Sequence, residues 1–140
     1  MYSRRLTSPT KATSKRMKQV RRRDTTAERE VAKVLRRLRI HRRSQVRNLP
    51  GSPDFVLRDY PVIIFVDGCF WHRCPRCYVA PKRNAAWWEA KTRRNVARDR
   101  RNDRRLRQIG YSVVHLWEHD DAARVERRVI AAIKRVRLRL

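Results

Sequence analysis

The chain has 140 residues, and its 38 lysines and arginines outnumber its 13 aspartates and glutamates, which gives a formal net charge of +25. A charge of this size predicts a polyanionic partner, of which nucleic acid is the usual one. No stretch approaches the roughly 20 apolar residues of a membrane-spanning helix, so no membrane partner is expected. The N-terminus lacks the apolar region of a secretory signal, and three cysteines do not suit a disulfide framework, so a cytoplasmic location is expected.

The N-terminal segment, residues 1–23, is rich in serine, threonine, lysine and arginine and has few large apolar residues. This composition predicts a flexible basic arm that DNA alone would order. Residues 24–140 have the length of a single domain with one core. A first helix is predicted after Thr25, because Thr25-Thr26-Ala27-Glu28 fits a capping box and apolar residues follow at helical spacing.

Three extended segments are predicted next. The chain becomes extended after Ile40 and then reaches a strong turn signal, Leu49-Pro50-Gly51-Ser52-Pro53. Asp54–Leu57 is predicted as a short strand, and the apolar run Val62–Val66 as a central strand buried on both faces. A loop that contains all three cysteines is expected to continue to about residue 84.

The second half of the chain predicts a helix, a strand and a helix. The first helix is expected from Ala85 to Gln108, because Gly110 is a stop signal. A strand over Tyr111–Trp117 and a helix over Asp121–Arg137 follow. The predicted order, α-β-β-β-α-β-α, indicates an α/β fold in which helices flank a central sheet.

The cysteines Cys69, Cys74 and Cys77 have a spacing at which thiolates can wrap a tetrahedral Zn²⁺. A fourth ligand is needed, and the candidates are the four histidines, His41, His72, His115 and His119. We favour His119, which follows a strand and can reach back to a loop leaving the neighbouring strand. A structural zinc would staple this proline-rich loop. The alternatives are three reduced structural cysteines or a redox-active Cys-x-x-Cys pair.

Asp54 opens a strand beside the end of the next one, a position at which many nucleases bind Mg²⁺. This cation takes hard oxygen ligands and keeps several waters, so one or two carboxylates suffice. The Pro53-Asp54 pair alone also fits an ordinary turn.

Four segments carry a resemblance to a known family. They are Pro53-Asp54-Phe55, Val66-Asp67-Gly68-Cys69-Phe70-Trp71-His72, Asn95-Val96-Ala97-Arg98-Asp99 and Trp117-Glu118-His119. The chain resembles the very short patch repair endonuclease family, Vsr, over about residues 10–120. The resemblance implies a restriction-endonuclease-like three-layer α/β fold, with a central mixed β-sheet flanked by helices and a structural zinc loop. It also implies a Mg²⁺-dependent endonuclease domain that nicks double-stranded DNA 5′ to the T of a T:G mismatch left by deamination of 5-methylcytosine.

The resemblance also assigns roles by position. Asp54 and the backbone carbonyl of Val66 would bind Mg²⁺. His72 would be the general base that activates water, and Asp99 the carboxylate that orients it and fixes its tautomer. Glu28 matches a functional acidic residue, although it fits a capping box equally well.

The zinc ligands implied by the resemblance are Cys69, Cys74, Cys77 and His119, which leaves His72 free for catalysis. Asp67 departs from the family pattern, because some members have a histidine at that position. A carboxylate there could add a metal ligand, so the role of Asp67 stays open.

DNA contacts are implied for the aromatic wedge Phe70, Trp71 and Trp88, and for Met17 from the minor-groove side. Packing at a helix start is the alternative for Trp88. The arginines of the long helix would face phosphates or solvent. The expected partners are T:G-mismatched duplex DNA and mismatch repair proteins, with the chain itself a monomer. Two alternatives stay open: a non-catalytic, zinc-stabilised DNA-binding protein, and a related nicking endonuclease that acts on matched DNA.

Overall fold

The computed structural model describes residues 25–69 and 72–138. These two ranges hold three helices and four strands in the predicted order α-β-β-β-α-β-α. They are α1 Thr26–Arg37, β1 Arg42–Ser44, β2 Phe55–Leu57, β3 Val62–Asp67, α2 Ala85–Ile109, β4 Ser112–Trp117 and α3 Ala122–Leu138. The predictions for the basic arm, Met17, Phe70 and Trp71 lie outside the described residues.

The strands form one mixed sheet in the order β1-β2-β3-β4. The β1–β2 and β2–β3 pairs are antiparallel, and β3 and β4 are parallel. The prediction of an interior, buried β3 is confirmed, since five of its six residues are buried. Because β3 and β4 are parallel, their carboxyl ends meet at one edge of the sheet, where Asp67 pairs with Trp117. The residues that follow both strands therefore lie close together.

Helices cover both faces of the sheet. On one face α1 and α3 pack against the strands in a core that includes Leu35, Ile64 and Val129. On the other face a smaller cluster joins Ile63 and Phe65 to Leu106 of α2. The alternation of Ile63, Ile64 and Phe65 between the two clusters follows from the two-residue period of a strand.

Only parts of helix α2 pack against the rest of the domain. Its buried residues are Trp88, Thr92 and Asn95 in the first half and Leu106 near the end. Residues 98–105, between Asn95 and Leu106, all have polar or charged side chains, so the helix does not seal the sheet there, and a cleft remains. The helix stops at Gly110, which adopts φ +115°, as the predicted stop signal requires. No helix in the described part of the chain combines the length and apolar character needed to cross a membrane.

Candidate active site and metal centre

A cleft of 590 Å³ opens between α2 and the edge at which β3 and β4 end. Among the described residues, six carboxylates, two histidines and one arginine line it: Glu28, Asp54, Asp67, Asp99, Asp103, Glu118, His72, His115 and Arg98. Glu28, Asp54, His72 and Asp99, the four residues implied by the resemblance as catalytic, are all in this set. They come from α1, the start of β2, the cysteine loop and α2, so the fold brings together residues that are far apart in sequence.

Asp54 is fixed against the end of β3. Its Oδ2 atom accepts a hydrogen bond of 2.7 Å from the backbone N–H of Val66. Burial raises the pKa of Asp54 to about 7, the Val66 N–H opposes the rise, and the charges of Glu28 and Asp67 add to it. A carboxyl group that is held close to other carboxylates and away from water favours a cation beside it.

Glu28 reaches the same region through Gln45. The Gln45 side chain donates to Oε2 of Glu28 at 2.9 Å, and the Gln45 backbone N–H donates to the Asp54 carbonyl at 2.8 Å. The backbone N–H of Glu28 also donates to Oγ1 of Thr25, the N-cap of α1, at 3.2 Å. The N–H thus serves the helix cap while the carboxylate lines the cleft, so both interpretations of Glu28 stay open.

His72 and Asp99 form a pair. Nδ1 of His72 lies in direct hydrogen-bond contact with Oδ2 of Asp99. If that nitrogen carries the proton, the carboxylate fixes the tautomer and Nε2 keeps a free lone pair. Nε2 faces the cleft, 3.8 Å from Oδ1 of Asp67. A base presented in this way is oriented by its partner, and its side chain lines the cleft.

Three cysteines and a histidine meet at the other side of the loop. Nδ1 of His119 lies 3.2 Å from the sulfur of Cys69, 3.8 Å from that of Cys74 and 3.3 Å from that of Cys77. A tetrahedral zinc site with normal bond lengths has sulfur–nitrogen edges of about 3.6 Å. All four ligand atoms lie within 4.8 Å of one another, so the group could hold a metal ion.

The surroundings of this group shift the pKa values of two of its thiols in opposite directions. Burial raises the pKa of the Cys74 thiol, but hydrogen bonds from the backbone N–H groups of Arg76 and Cys77 outweigh it, and the net shift is downward. Burial raises the pKa of Cys69. A cation would favour the thiolate form of both sulfurs, because metal ligation displaces the thiol proton.

Glu118 joins the metal group to the cleft. Its Oε1 atom accepts from the backbone N–H of Cys69 at 3.0 Å, and its own N–H donates to the carbonyl of Asp67 at 3.0 Å. The motif Trp117-Glu118-His119 does not by itself indicate a role for Glu118. It ties the start of the loop to the end of β4.

Sequence reasoning also missed a charge cluster on the floor of the cleft. His115, named only as a zinc candidate, lies 2.6 Å from Asp67 and 2.7 Å from Asp103. Two signals could have found it. His115 interrupts an apolar strand, and Asp103 lies four residues after Asp99, on the same face of α2.

Trp88 is not at the surface of this structure. It is 2% exposed and packs edge-to-face on Trp87, with ring centroids 4.7 Å apart. This is the packing arrangement that the sequence allowed as the alternative. The implied DNA contact of Trp88 therefore requires a rearrangement that exposes the ring, and it stays a prediction.

Comparisons with known proteins identify the family of this chain. The family model for DNA mismatch endonuclease Vsr matches residues 7–78. DNA mismatch endonuclease Vsr of Escherichia coli (strain K12) is 41% identical over 107 residues, which cover 75% of this chain and 68% of that protein. The chain therefore belongs to the Vsr family.

Nicking enzymes are also similar to the chain. Type II nicking enzyme V.XorIIP of Xanthomonas oryzae pv. oryzae is 37% identical over 108 residues, which cover 73% of this chain and 76% of that enzyme. Type II nicking enzyme V.NaeI of Lentzea aerocolonigenes is 43% identical over 70 residues, which cover 50% of this chain and 42% of that enzyme. The relatives thus include enzymes named for mismatches and enzymes named for nicking.

Proposed function

We propose that this chain is a Mg²⁺-dependent DNA endonuclease that nicks double-stranded DNA 5′ to the T of a T:G mismatch. The observation that carries the proposal is the convergence of the His72–Asp99 pair and Asp54 on one cleft. Membership of the Vsr family and a net charge of +25 support a DNA substrate.

In this proposal His72 accepts a proton at Nε2 from the water that attacks the scissile phosphate. Asp99 holds the ring through Nδ1, so the acceptor nitrogen keeps one orientation. Water must reach Nε2 for this step, and Nε2 faces the cleft.

Asp54 and the backbone carbonyl of Val66 would hold Mg²⁺. Three observations fit Mg²⁺ at these residues. Both offer oxygen ligands, the Asp54 carboxylate is hydrogen-bonded to the Val66 backbone, and the pKa of the Asp54 carboxyl is raised. When bound, the cation supplies positive charge that stabilises the phosphate in the transition state. Glu28 lies close enough to act on Asp54 by its charge.

Cys69, Cys74, Cys77 and His119 would hold a structural Zn²⁺. His72 lies between Cys69 and Cys74 in the chain, and the backbone N–H of Cys74 donates to the Cys69 carbonyl at 2.9 Å. The metal would therefore set the course of the segment that carries the base. It would have no part in the hydrolysis itself.

DNA would lie across the cleft along α2, whose arginines include Arg94, Arg101 and Arg105. Phe70 and Trp71, which follow the first zinc ligand, and Met17 would contact the mismatch. The proposal includes a restriction-endonuclease-like fold over residues 24–140, a monomer, a cytoplasmic location and mismatch repair proteins as further partners.

The nicking enzymes among the relatives favour a second candidate, an endonuclease that nicks matched DNA. A non-catalytic DNA-binding protein is the alternative outside enzymes. Incubating the full chain with a closed circular plasmid that carries one T:G pair, with Mg²⁺ or with EDTA, separates binding from hydrolysis. Relaxed circles that form only with Mg²⁺ support an endonuclease, and unchanged plasmid with normal DNA binding contradicts it.

A further inference from the structure

Two aspartate–histidine pairs lie side by side in the cleft. Asp99 contacts His72, and Asp103, one helical turn later on α2, contacts His115 on β4. Asp67, at the end of β3, lies between the two histidines. The proposed function uses the pair formed by His72 and Asp99. It assigns no role to His115, Asp103 or Asp67.

The imidazole ring of His115 is restrained by two carboxylates and a stacked aromatic ring. Its Nδ1 lies 2.6 Å from Asp67 Oδ2 and its Nε2 lies 2.7 Å from Asp103 Oδ2. Its ring stacks on Phe65, with centroids 5.0 Å apart and planes 11° from parallel. When Asp67 and Asp103 are both ionised, both ring nitrogens donate, and the ring is an imidazolium. The carbonyl of His115 also accepts from Arg128.

One carboxylate oxygen of Asp67 is hydrogen-bonded to His115, and the other lies near His72, the proposed base. Oδ2 is bound to His115, whereas Oδ1 lies 3.8 Å from His72 Nε2, beyond hydrogen-bond distance. The residue is 6% exposed, so water competes little for this carboxylate. Released from His115, the carboxylate could turn about its side-chain bonds and accept a hydrogen bond from His72.

We propose that His115 is a positioning residue: it holds the Asp67 carboxylate away from Nε2 of His72 and so keeps that nitrogen open to the attacking water. This inference rests on the proposed function of His72. The ion pair between His115 and Asp67 restrains the Asp67 carboxylate. Without this restraint the carboxylate could bind Nε2 of His72 and occupy the position that the attacking water needs. Asp103 anchors the far side of the imidazolium ring.

Two substitutions of similar structural cost separate positioning from mere packing. An asparagine amide nitrogen lies near the imidazole Nδ1 position, and a glutamine amide nitrogen lies near Nε2. His115→Asn therefore keeps the bond to Asp67, and His115→Gln keeps the bond to Asp103. Each variant loses one carboxylate bond and the ring stack on Phe65, so a merely structural role predicts equal effects.

The measurement is single-turnover nicking of a T:G duplex by the full, zinc-loaded chain, below the melting temperature of every variant. We expect His115→Asn to stay within about threefold of the wild-type rate, and His115→Gln to fall at least about tenfold. The change should be in the rate at saturating DNA and not in the DNA concentration that gives half the maximal rate, since both ring nitrogens of His115 are bound to carboxylates and neither is left to contact a phosphate.

A suppressor variant completes the test. Asp67→Ala added to His115→Gln removes the carboxylate that the single variant releases, so nicking should recover at least about tenfold over His115→Gln alone. A crystal structure of His115→Gln should show Asp67 at a hydrogen-bond distance of about 2.8 Å from His72. Equal rates for His115→Asn and His115→Gln, or no recovery in the double variant, would overturn the inference. A wild-type chain that does not nick the duplex would instead overturn the proposed function.

Discussion

The Asp54 carboxylate accepts a 2.7 Å hydrogen bond from the backbone N–H of Val66. This bond joins the first residue before β2 to the end of β3, beside the cysteine loop that begins two residues later. It holds a carboxyl oxygen of Asp54 at the end of β3. The position of the proposed Mg²⁺ site is therefore determined by strand pairing.

Replacing Asp54 with alanine should abolish nicking while leaving the fold and zinc in place. The carboxylate is the proposed cation ligand, so we expect a rate loss of at least about 10³-fold with DNA binding retained. Nicking rate, zinc content and DNA affinity check this. Asp59→Ala is a matched control, because Asp59 is exposed and lies outside the cleft. Normal nicking by Asp54→Ala contradicts the assignment.

Replacing Asp99 with asparagine should slow nicking by about 10²-fold or more with little change in melting temperature. The amide keeps the size of the side chain but can present either a donor or an acceptor to Nδ1 of His72, so the tautomer is no longer fixed. Single-turnover rates and thermal melts test this. Asp121→Asn is the control, because Asp121 directly precedes α3 and lies outside the cleft. An unchanged rate would show that Asp99 does not orient the base.

Replacing Cys74 with serine should remove the metal and lower the melting temperature, because the loop loses its staple. The wild-type chain should contain one zinc ion per chain by elemental analysis, and His41→Ala should keep it. His41 is exposed and lies outside the group formed by the three cysteines and His119. Full zinc content in Cys74→Ser, or an unchanged melting temperature, argues against a structural zinc at these residues.

The charge cluster of His115 predicts a pH dependence of stability. Burial lowers the pKa of His115, but the hydrogen bonds and charges of Asp103 and Asp67 outweigh it and raise the pKa to about 10. Arg128 is the other charged group in contact, through the His115 carbonyl. The folded-state pKa exceeds the unfolded value of about 6.5, so the stabilisation is complete below about pH 6.5 and is lost as pH rises toward 10.

Urea unfolding of the wild-type chain and of His115→Asn at several pH values measures this effect. The difference in their free energies of unfolding should shrink between about pH 7 and pH 10, by an amount on the order of a few kcal/mol. Comparing the two proteins cancels the titration of the cysteines, which both share. A difference that stays constant over this range would show that His115 is not protonated at neutral pH.

The order of the elements could be predicted because each carries a local signal. The capping box at Thr25, the apolar run of β3 and the stop at Gly110 depend on neighbours in the sequence. The pairing of β2 with β3 could also be predicted from the sequence, since the turn between the two strands is short. That pairing placed Asp54 next to the loop with the cysteines.

The charge cluster could not be predicted, because its members depend on register and helix rotation. His115 meets Asp67 only because β4 pairs with β3 in parallel, with Phe65 opposite His115. Asp103 reaches His115 only because α2 turns its Asp99 face toward the sheet. Trp88 shows the same limit, since the sequence alone cannot distinguish a surface ring from a buried one.

The central claim is mismatch-specific nicking, and strand-resolved cleavage tests it most directly. Two end-labelled duplexes that differ only in one T:G or T:A pair would be incubated with the chain and Mg²⁺. Because a mismatch is easier to open, we predict one nick, 5′ to the T of the T:G pair, at least about 100-fold faster than in the T:A duplex. Equal cleavage of both duplexes, cleavage of both strands, or no Mg²⁺-dependent cleavage would contradict the account.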